Sequence, residues 1–186
     1  MLLVREDGSK RPFDVDASHP LPVVVSRWSS TGSFAAVAAG NYADNDVISN
    51  DADDGEGDPI EFAAAVRSTG GTAKVIGATL TMSEDGILAT SELFLFSQAP
   101  TASEMDDNAA WGGVGAADLP YYLGSIAFGA LADTGDISFA TPSALTPAAP
   151  LFIRSETTTV YGVLVFRDAE TNETAGMTVS ITLYIE

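Results

Sequence analysis

Alternation with a period of two is the strongest constraint in this chain. Met177, Val179, Ile181, Leu183 and Ile185 alternate with Thr178, Ser180, Thr182 and Tyr184. Ile76, Ala78, Leu80 and Met82 likewise alternate with Val75, Gly77, Thr79 and Thr81. Successive side chains of a strand point to opposite faces, so each pattern specifies a strand with one buried face. The second pattern puts Val75 on the outer face. Residues 92–96 (Glu-Leu-Phe-Leu-Phe) and 160–166 (Val-Tyr-Gly-Val-Leu-Val-Phe) are apolar on both faces and read as central strands. Weaker strand candidates are residues 23–28, 33–39, 60–66, 122–128, 137–139 and 151–154.

Turn signals separate these runs: Gly70-Gly71, Glu84-Asp85-Gly86, Ala99-Pro100, Gly112-Gly113 and Thr146-Pro147. About ten short strands with frequent turns predict an all-β fold, a β-sandwich or jelly-roll-like body. A turn or two of helix is expected near residues 103–108 and 116–119. The 186 residues suit a single domain, and the 46% of hydrophobic residues suffice for a core. We divide the chain into an extended N-terminal arm with the first strand, residues 1–30, and a sandwich domain, residues 31–186.

Charge removes whole classes of function. Twenty-six acids against eight bases give a net charge of -18. A nucleic-acid surface needs clustered Lys and Arg, and an anionic membrane repels such a chain, so neither is an expected partner. Without cysteine, disulfides, thiolate metal sites and thiol nucleophiles are excluded. The N-terminal apolar run stops after four residues at Arg5, and no run approaches the roughly 18 residues of a membrane span. The chain therefore reads as soluble and without an ordinary export signal.

Catalytic constellations are hard to build here. His19 is the single histidine and lies beside Pro20 in the arm, so a Ser-His-Asp triad would have to use it. Lys10 and Lys74 have no recognisable nucleophile setting. Gly112-Gly113-Val114-Gly115 follows Ala-Ala-Trp rather than a strand, and reads as a turn. Paired carboxylates carry no specificity among so many acids. We expect no enzyme and no cofactor.

Residues 44–61 hold Asp44, Asp46, Asp51, Asp53, Asp54, Glu56, Asp58 and Glu61 with no base. Such a block repels itself and reads as a solvated loop. Its one metal candidate is calcium, at Asn50, Asp54, Asp58 and Glu61. With Asn50 as first position, Asp54 is fifth, Gly55 sixth and Glu61 twelfth, as in an EF-hand loop. Ala52 at the third position and the lack of flanking helices depart from that pattern. Asn172-Glu173-Thr174 fits an N-glycosylation acceptor and, without an export signal, reads as chance.

The arm differs from the body. Residues 1–30 are neutral, and residues 1–22 carry Pro12, Pro20 and Pro22 and hold three of the eight bases. Leu2, Leu3, Val4, Arg5, Arg11, Phe13 and Val15 are the residues expected to dock on a partner by strand addition. The alternative is an edge strand of the chain's own sandwich.

Several segments, in order, resemble the β-sandwich head decoration, or cement, proteins of tailed bacteriophages. They are Tyr42-Ala43-Asp44-Asn45-Asp46-Val47, Val66-Arg67-Ser68-Thr69-Gly70-Gly71 with the strand over 74–82, and residues 92–96 with Pro100. Asp107-Asn108-Ala109-Ala110, Tyr122-Leu123-Gly124-Ser125-Ile126, and residues 160–166 with Arg167 complete the set. The likeness runs from about Tyr42 to Glu186; the acidic insertion at 50–58 and the long arm depart from it. The resemblance implies a non-enzymatic virion protein, made in the host cytoplasm, that binds the outer surface of the major capsid shell and stabilises it. Its implied partners are the major capsid protein and neighbouring copies of itself, most simply as a trimer. In such a body Arg67 and Arg167 are expected to anchor local carboxylates, and Asp107-Asn108 to cap a turn. The alternative function is a ligand-binding β-sandwich of carbohydrate-binding or adhesion type, which needs exposed aromatics such as Trp28, Trp111, Tyr121 and Tyr122 on one face.

Overall fold

A computed structural model describes residues 3–4, 10–11, 26–37, 40–50, 57–142, 144–146, 148–173 and 175–186. The fold is all-β: two antiparallel sheets stack face to face, and the described residues hold one short 3-10 turn, Leu119–Tyr121, and no α-helix. In chain order the strands are β1 (Leu3–Val4), β2 (Lys10–Arg11), β3 (Trp28–Ala35), β4 (Gly40–Tyr42), β5 (Val47–Ile48), β6 (Ile60–Phe62), β7 (Thr72–Met82), β8 (Ser91–Phe96), β9 (Tyr122–Phe128), β10 (Ala132–Asp133), β11 (Ser138–Ala140), β12 (Leu151–Arg154), β13 (Val160–Phe166), β14 (Glu170–Glu173) and β15 (Thr178–Ile185).

The large sheet has six strands in the order β10-β11-β7-β15-β3, with β12 alongside the first half of β7. The small sheet has five, β5-β13-β8-β9, with β6 continuing the β5 edge along β13. β14 pairs with β4 as a separate ribbon. Between the sheets lies the main core, to which β15 gives Val179, Ile181, Leu183 and Ile185, all at 0% exposure. That face matches the alternation read from the sequence.

The β7 alternation is corrected. Tyr184 pairs with Gly77 while Ile185 pairs with Val75, so Ile76 is an extra residue bulged out of register. The bulge flips the parity of the strand. Val75 enters the core with Ala73, Ala78, Leu80 and Met82, and Ile76 lines the outer surface beside Tyr184. A one-residue insertion of this kind leaves no mark on a period-two pattern.

Of the candidates at 23–28 and 33–39, residues 23–25 and 38–39 lie outside the described residues. In the described part they are corrected: a single strand, Trp28–Ala35, runs through the Ser-Ser-Thr-Gly-Ser stretch that separated them. Its outward hydroxyls join a ladder with β15: Thr31 to Thr182 at 2.9 Å and Ser33 to Ser180 at 2.8 Å. Gly32 is there for clearance, since a Cβ would lie 2.4 Å from Ile60 Cγ2 and 3.0 Å from the Glu61 carbonyl oxygen. β3 and β6 touch at that point across the two sheets. Residues 60–66 form strand only through Phe62, whereas 122–128 and 151–154 match β9 and β12.

The small sheet carries a second, outer cluster. Leu93, Leu95, Leu164 and Phe166 face the main core, while Phe94, Phe96, Val163 and Val165 face away from it. That outer face is covered by the connection between β8 and β9, which lays Trp111, Met105 and Val114 over it. The result is three layers: large sheet, small sheet and a covering segment.

Gly32→Ala should cost about 1–3 kcal/mol in urea unfolding, as overpacking at a buried contact does. Gly77→Ala, whose Cβ would meet nothing closer than Tyr184 Cδ2 at 3.4 Å, should be within about 1 kcal/mol of the parent. Equal effects at the two sites would contradict the close approach of the sheets at Gly32.

Candidate functional site

The covering segment, residues 97–121, is held by two buried carboxylates. Asp118 is 2% exposed and accepts the N–H groups of Thr101, Ala102 and Ser103 at 2.7–2.9 Å and the Ser103 hydroxyl at 2.7 Å. Burial alone pushes its carboxyl up. The hydrogen bonds from Thr101, the Ser103 hydroxyl, Ala102 and Ser103 outweigh that and hold it below the usual carboxylate range. These bonds bend residues 101–103 around the carboxylate. The expected helical turn at 103–108 is therefore absent, and the one at 116–119 is reduced to the 3-10 turn that follows Asp118.

Asp107 fastens the segment to the body. The Tyr42 hydroxyl lies 2.8 and 2.9 Å from its two carboxylate oxygens, and the Ser49 N–H donates to Oδ1 at 2.8 Å. This is a tie between distant parts of the chain, not the local cap expected from Asp107-Asn108. Backbone bonds extend it: Asn108 N–H to Val47 O at 2.9 Å, Val47 N–H to Ala109 O at 2.9 Å, and Trp111 N–H to Asn45 O at 2.7 Å.

The two body arginines singled out by sequence behave differently. Arg167 donates from Nε and Nη2 to Glu92 Oε2 at 2.9 and 2.7 Å, bonds Asn45 Oδ1 through Nη1, and lies 5.3 Å over the Phe94 ring. Ser125 Oγ completes the group on Glu92 Oε1. Arg67 finds no carboxylate; its guanidinium stacks 4.2 Å over Trp28 and Nη2 reaches the Ser26 carbonyl at 3.5 Å.

Sequence reasoning missed a third buried carboxylate. Glu170, 5% exposed, accepts the N–H groups of Leu88, Ala89, Thr171 and Asn172 at 2.8–3.2 Å and ties β14 to the turn after β7. Among 26 acids no local signal separates these three from solvated ones. At the surface, Asp168 receives the Thr90 hydroxyl and then the Thr90 N–H, which hold its carboxyl below the usual range.

Of the calcium candidates, Asn50, Asp58 and Glu61 are exposed and line one concavity of about 280 Å³ with Ser33 and Phe34. Asp54 lies outside the described residues. Among the described residues no three His, Cys, Asp or Glu side chains group closely enough to hold a metal ion. A second concavity, about 480 Å³, is lined by Gly57, Pro59 and residues 100–105. Its Ser103 hydroxyl donates to Asp118, and its Glu104 carboxylate accepts the N–H groups of Met105 and Asp106.

Within the arm, β1 and β2 pair with each other, Leu3 opposite Arg11 and Val4 opposite Lys10, and with no strand of the sandwich among the described residues. Leu2, Arg5, Phe13, Val15 and His19 lie outside the described residues.

The aromatics that a carbohydrate-binding face would need do not share one. Trp111 is buried against Phe94 with ring centroids 4.7 Å apart, Tyr122 packs on Phe94 and Phe96, and Trp28 lies beneath Arg67 with Nε1 donating to Ala64 O. Tyr121 is exposed at the end of the covering segment, and the other exposed rings, Phe139, Phe152 and Tyr184, lie on the outer side of the large sheet. There they stand among Thr31, Ser33, Thr79, Thr81, Ser180 and Thr182. Asp133, on the short edge strand β10, is the one acid in the six strands of that sheet. An acid-poor, hydroxyl-rich face on a chain of net charge -18 is a surface that meets an acidic partner with little repulsion.

No protein-family model matches the chain, and no curated protein matches it.

Asp118→Asn should cost about 1–3 kcal/mol at neutral pH, because buried N–H donors lose their charged acceptor. The native carboxyl titrates below its unfolded value, so its stabilisation is full above the ordinary carboxylate range and is lost as pH falls through the folded pKa. The gap between parent and variant in urea unfolding should therefore narrow below about pH 4. A gap independent of pH would refute the ionised staple.

Proposed function

We propose that the protein is a virion structural protein of a tailed bacteriophage, a decoration protein that binds the outer surface of the major capsid shell and stabilises it. The observation that carries this reading is the convergence of the segments resembling cement proteins. Tyr42, Asn45, Glu92, Asp107, Ser125 and Arg167 are spread over more than a hundred residues of sequence. Asn45, Glu92, Ser125 and Arg167 meet in one hydrogen-bonded group on the outer side of the small sheet, and Asp107 meets Tyr42 at the edge of the main core. Contacts between segments so far apart in sequence support reading the resembling pieces together.

Two further features support it. A decoration protein needs a rigid body with broad contact surfaces and no reaction centre. The buried carboxylate ties stiffen the covering segment, and the outer face of the large sheet offers a flat, acid-poor surface. The arm is the second docking element, reaching to a shell subunit or a neighbouring copy by strand addition.

Purified protein mixed with undecorated heads should co-sediment with them at saturating, fixed stoichiometry and raise their resistance to heat. A chain lacking residues 2–20 should keep the body's melting temperature and bind heads at least about tenfold more weakly. Failure of the full chain to co-sediment would overturn the decoration reading. Undiminished binding by the truncated chain would overturn the arm's part in it.

A further inference from the structure

The five bases of the body whose side chains the structure describes are distributed unevenly in space. Arg5, Lys10 and Arg11 belong to the arm, and Arg167 is engaged with Glu92. The other four, Arg27, Arg67, Lys74 and Arg154, gather at one end of the large sheet. The strand register puts them there. Trp28 faces Ile185, Ile185 faces Val75, and Val75 faces Leu151, which makes one row across the sheet. Arg27 and Lys74 are each one residue beyond that row, Lys74 opposite Phe152, and Arg154 stands opposite Thr72. Arg67 joins them by stacking on Trp28. The acids that the register puts beside these bases are Glu186, bonded to Lys74 through its backbone, and Glu156, paired with Arg154 at 3.1 Å. Among the described residues, four bases against two acids is a local reversal in a chain with 26 acids and eight bases.

The other end of the same sheet has the opposite sign. Phe34 faces Val179, Val179 faces Met82, and Met82 faces Ser138. Just beyond or beside that row stand Asp58, Asp85, Asp133 and Asp136, all exposed, with no base among the described residues there. Trp28 and Phe34 are six residues apart on one strand, so the two ends are separated by about 20 Å at ~3.3 Å per residue. The sheet is therefore charged oppositely at its two ends. The basic end also carries a concavity of about 390 Å³ lined by Arg27, Trp28, Ile76 and Tyr184, and the exposed ring of Phe152.

We propose that copies of this chain associate head to tail, the basic, aromatic end of the large sheet in one copy receiving the acidic end of the same sheet in the next. The occupant is a second copy because the complementary charge is present on the chain itself. Oppositely charged surfaces at two different places make a heterologous contact, which repeats into a ring or an open chain rather than stopping at a two-fold dimer. Ionic strength reports the contact. Near physiological salt the Debye length is about 8 Å, which screens the repulsion between whole copies while groups within ~4 Å still attract. At about 1 M salt the length falls to ~3 Å and the contact itself weakens. The contact stands whether or not the copies sit on a shell, so it fails or holds separately from the decoration reading.

The test is sedimentation velocity on the full chain over a concentration series at about 0.15 M salt. Species larger than the monomer should grow with concentration. Lys74→Glu with Arg154→Glu, and separately Asp85→Lys with Asp136→Lys, should each weaken association by about tenfold or more. Carrying both pairs of reversals on one chain should restore it to within about threefold, because attraction returns with the poles exchanged. All these residues are exposed, and melting curves check that each variant folds. Should a reversed variant fail to fold, raising the salt of the parent to about 1 M must dissolve the larger species. A parent that stays monomeric throughout, or assemblies indifferent to both reversal and salt, would overturn the proposal.

Discussion

A sheet that is apolar on both faces has to be covered on both, and the small sheet of this protein is such a sheet. Leu93, Leu95, Leu164 and Phe166 on one side and Phe94, Phe96, Val163 and Val165 on the other are all buried. At about 25 cal/mol per Å² of apolar surface, exposing either face would cost several kcal/mol. The large sheet covers the inner face. The outer face is covered by a connection without regular structure, and this sets the rest of the design. Such a segment has backbone N–H groups that no ladder satisfies, so it needs acceptors brought to it. Asp118 supplies them inside the segment and Asp107 ties it to Tyr42 and Ser49. Buried carboxylates are thus a structural necessity of the third layer.

The two-layer part of the fold was readable in the sequence for a simple reason. Alternation reports which side of a strand is buried, and β15 obeys it without interruption. Residues apolar on both faces report central strands, and β8 and β13 are each paired on both sides. The failures have equally physical causes. A bulge at Ile76 shifted parity within β7 and sent Val75 inward. Hydroxyl-rich β3 was split between two candidates because serine, threonine and glycine serve turns and solvent-facing strands alike. The covering segment was invisible because its order comes from contacts far apart in sequence. Asp107 lies 65 residues from Tyr42, and Trp111 meets Phe94 across a turn-rich stretch that has no periodicity.

Charge was legible in amount but not in arrangement. The count of acids and bases argued against nucleic acid as an expected partner. It left hidden that four bases converge at one end of the large sheet, because Arg27, Arg67, Lys74 and Arg154 are brought together by strand pairing alone. Of the aromatic candidates, Trp111 and Tyr122 are consumed in covering the small sheet, Trp28 lies under Arg67, and Tyr121 stays exposed. What remains outside is a hydroxyl-rich face with oppositely charged ends, a surface suited to flat contact with other protein.

The account rests on the covering segment being an integral layer rather than a surface loop. Native-state hydrogen exchange measures this directly. The N–H groups of Thr101, Ala102, Ser103, Asn108 and Trp111 should exchange only through global unfolding, with the same opening free energy as the central amides of β8 and β13. Rapid exchange of these five by local opening, while β8 and β13 stay protected, would contradict it.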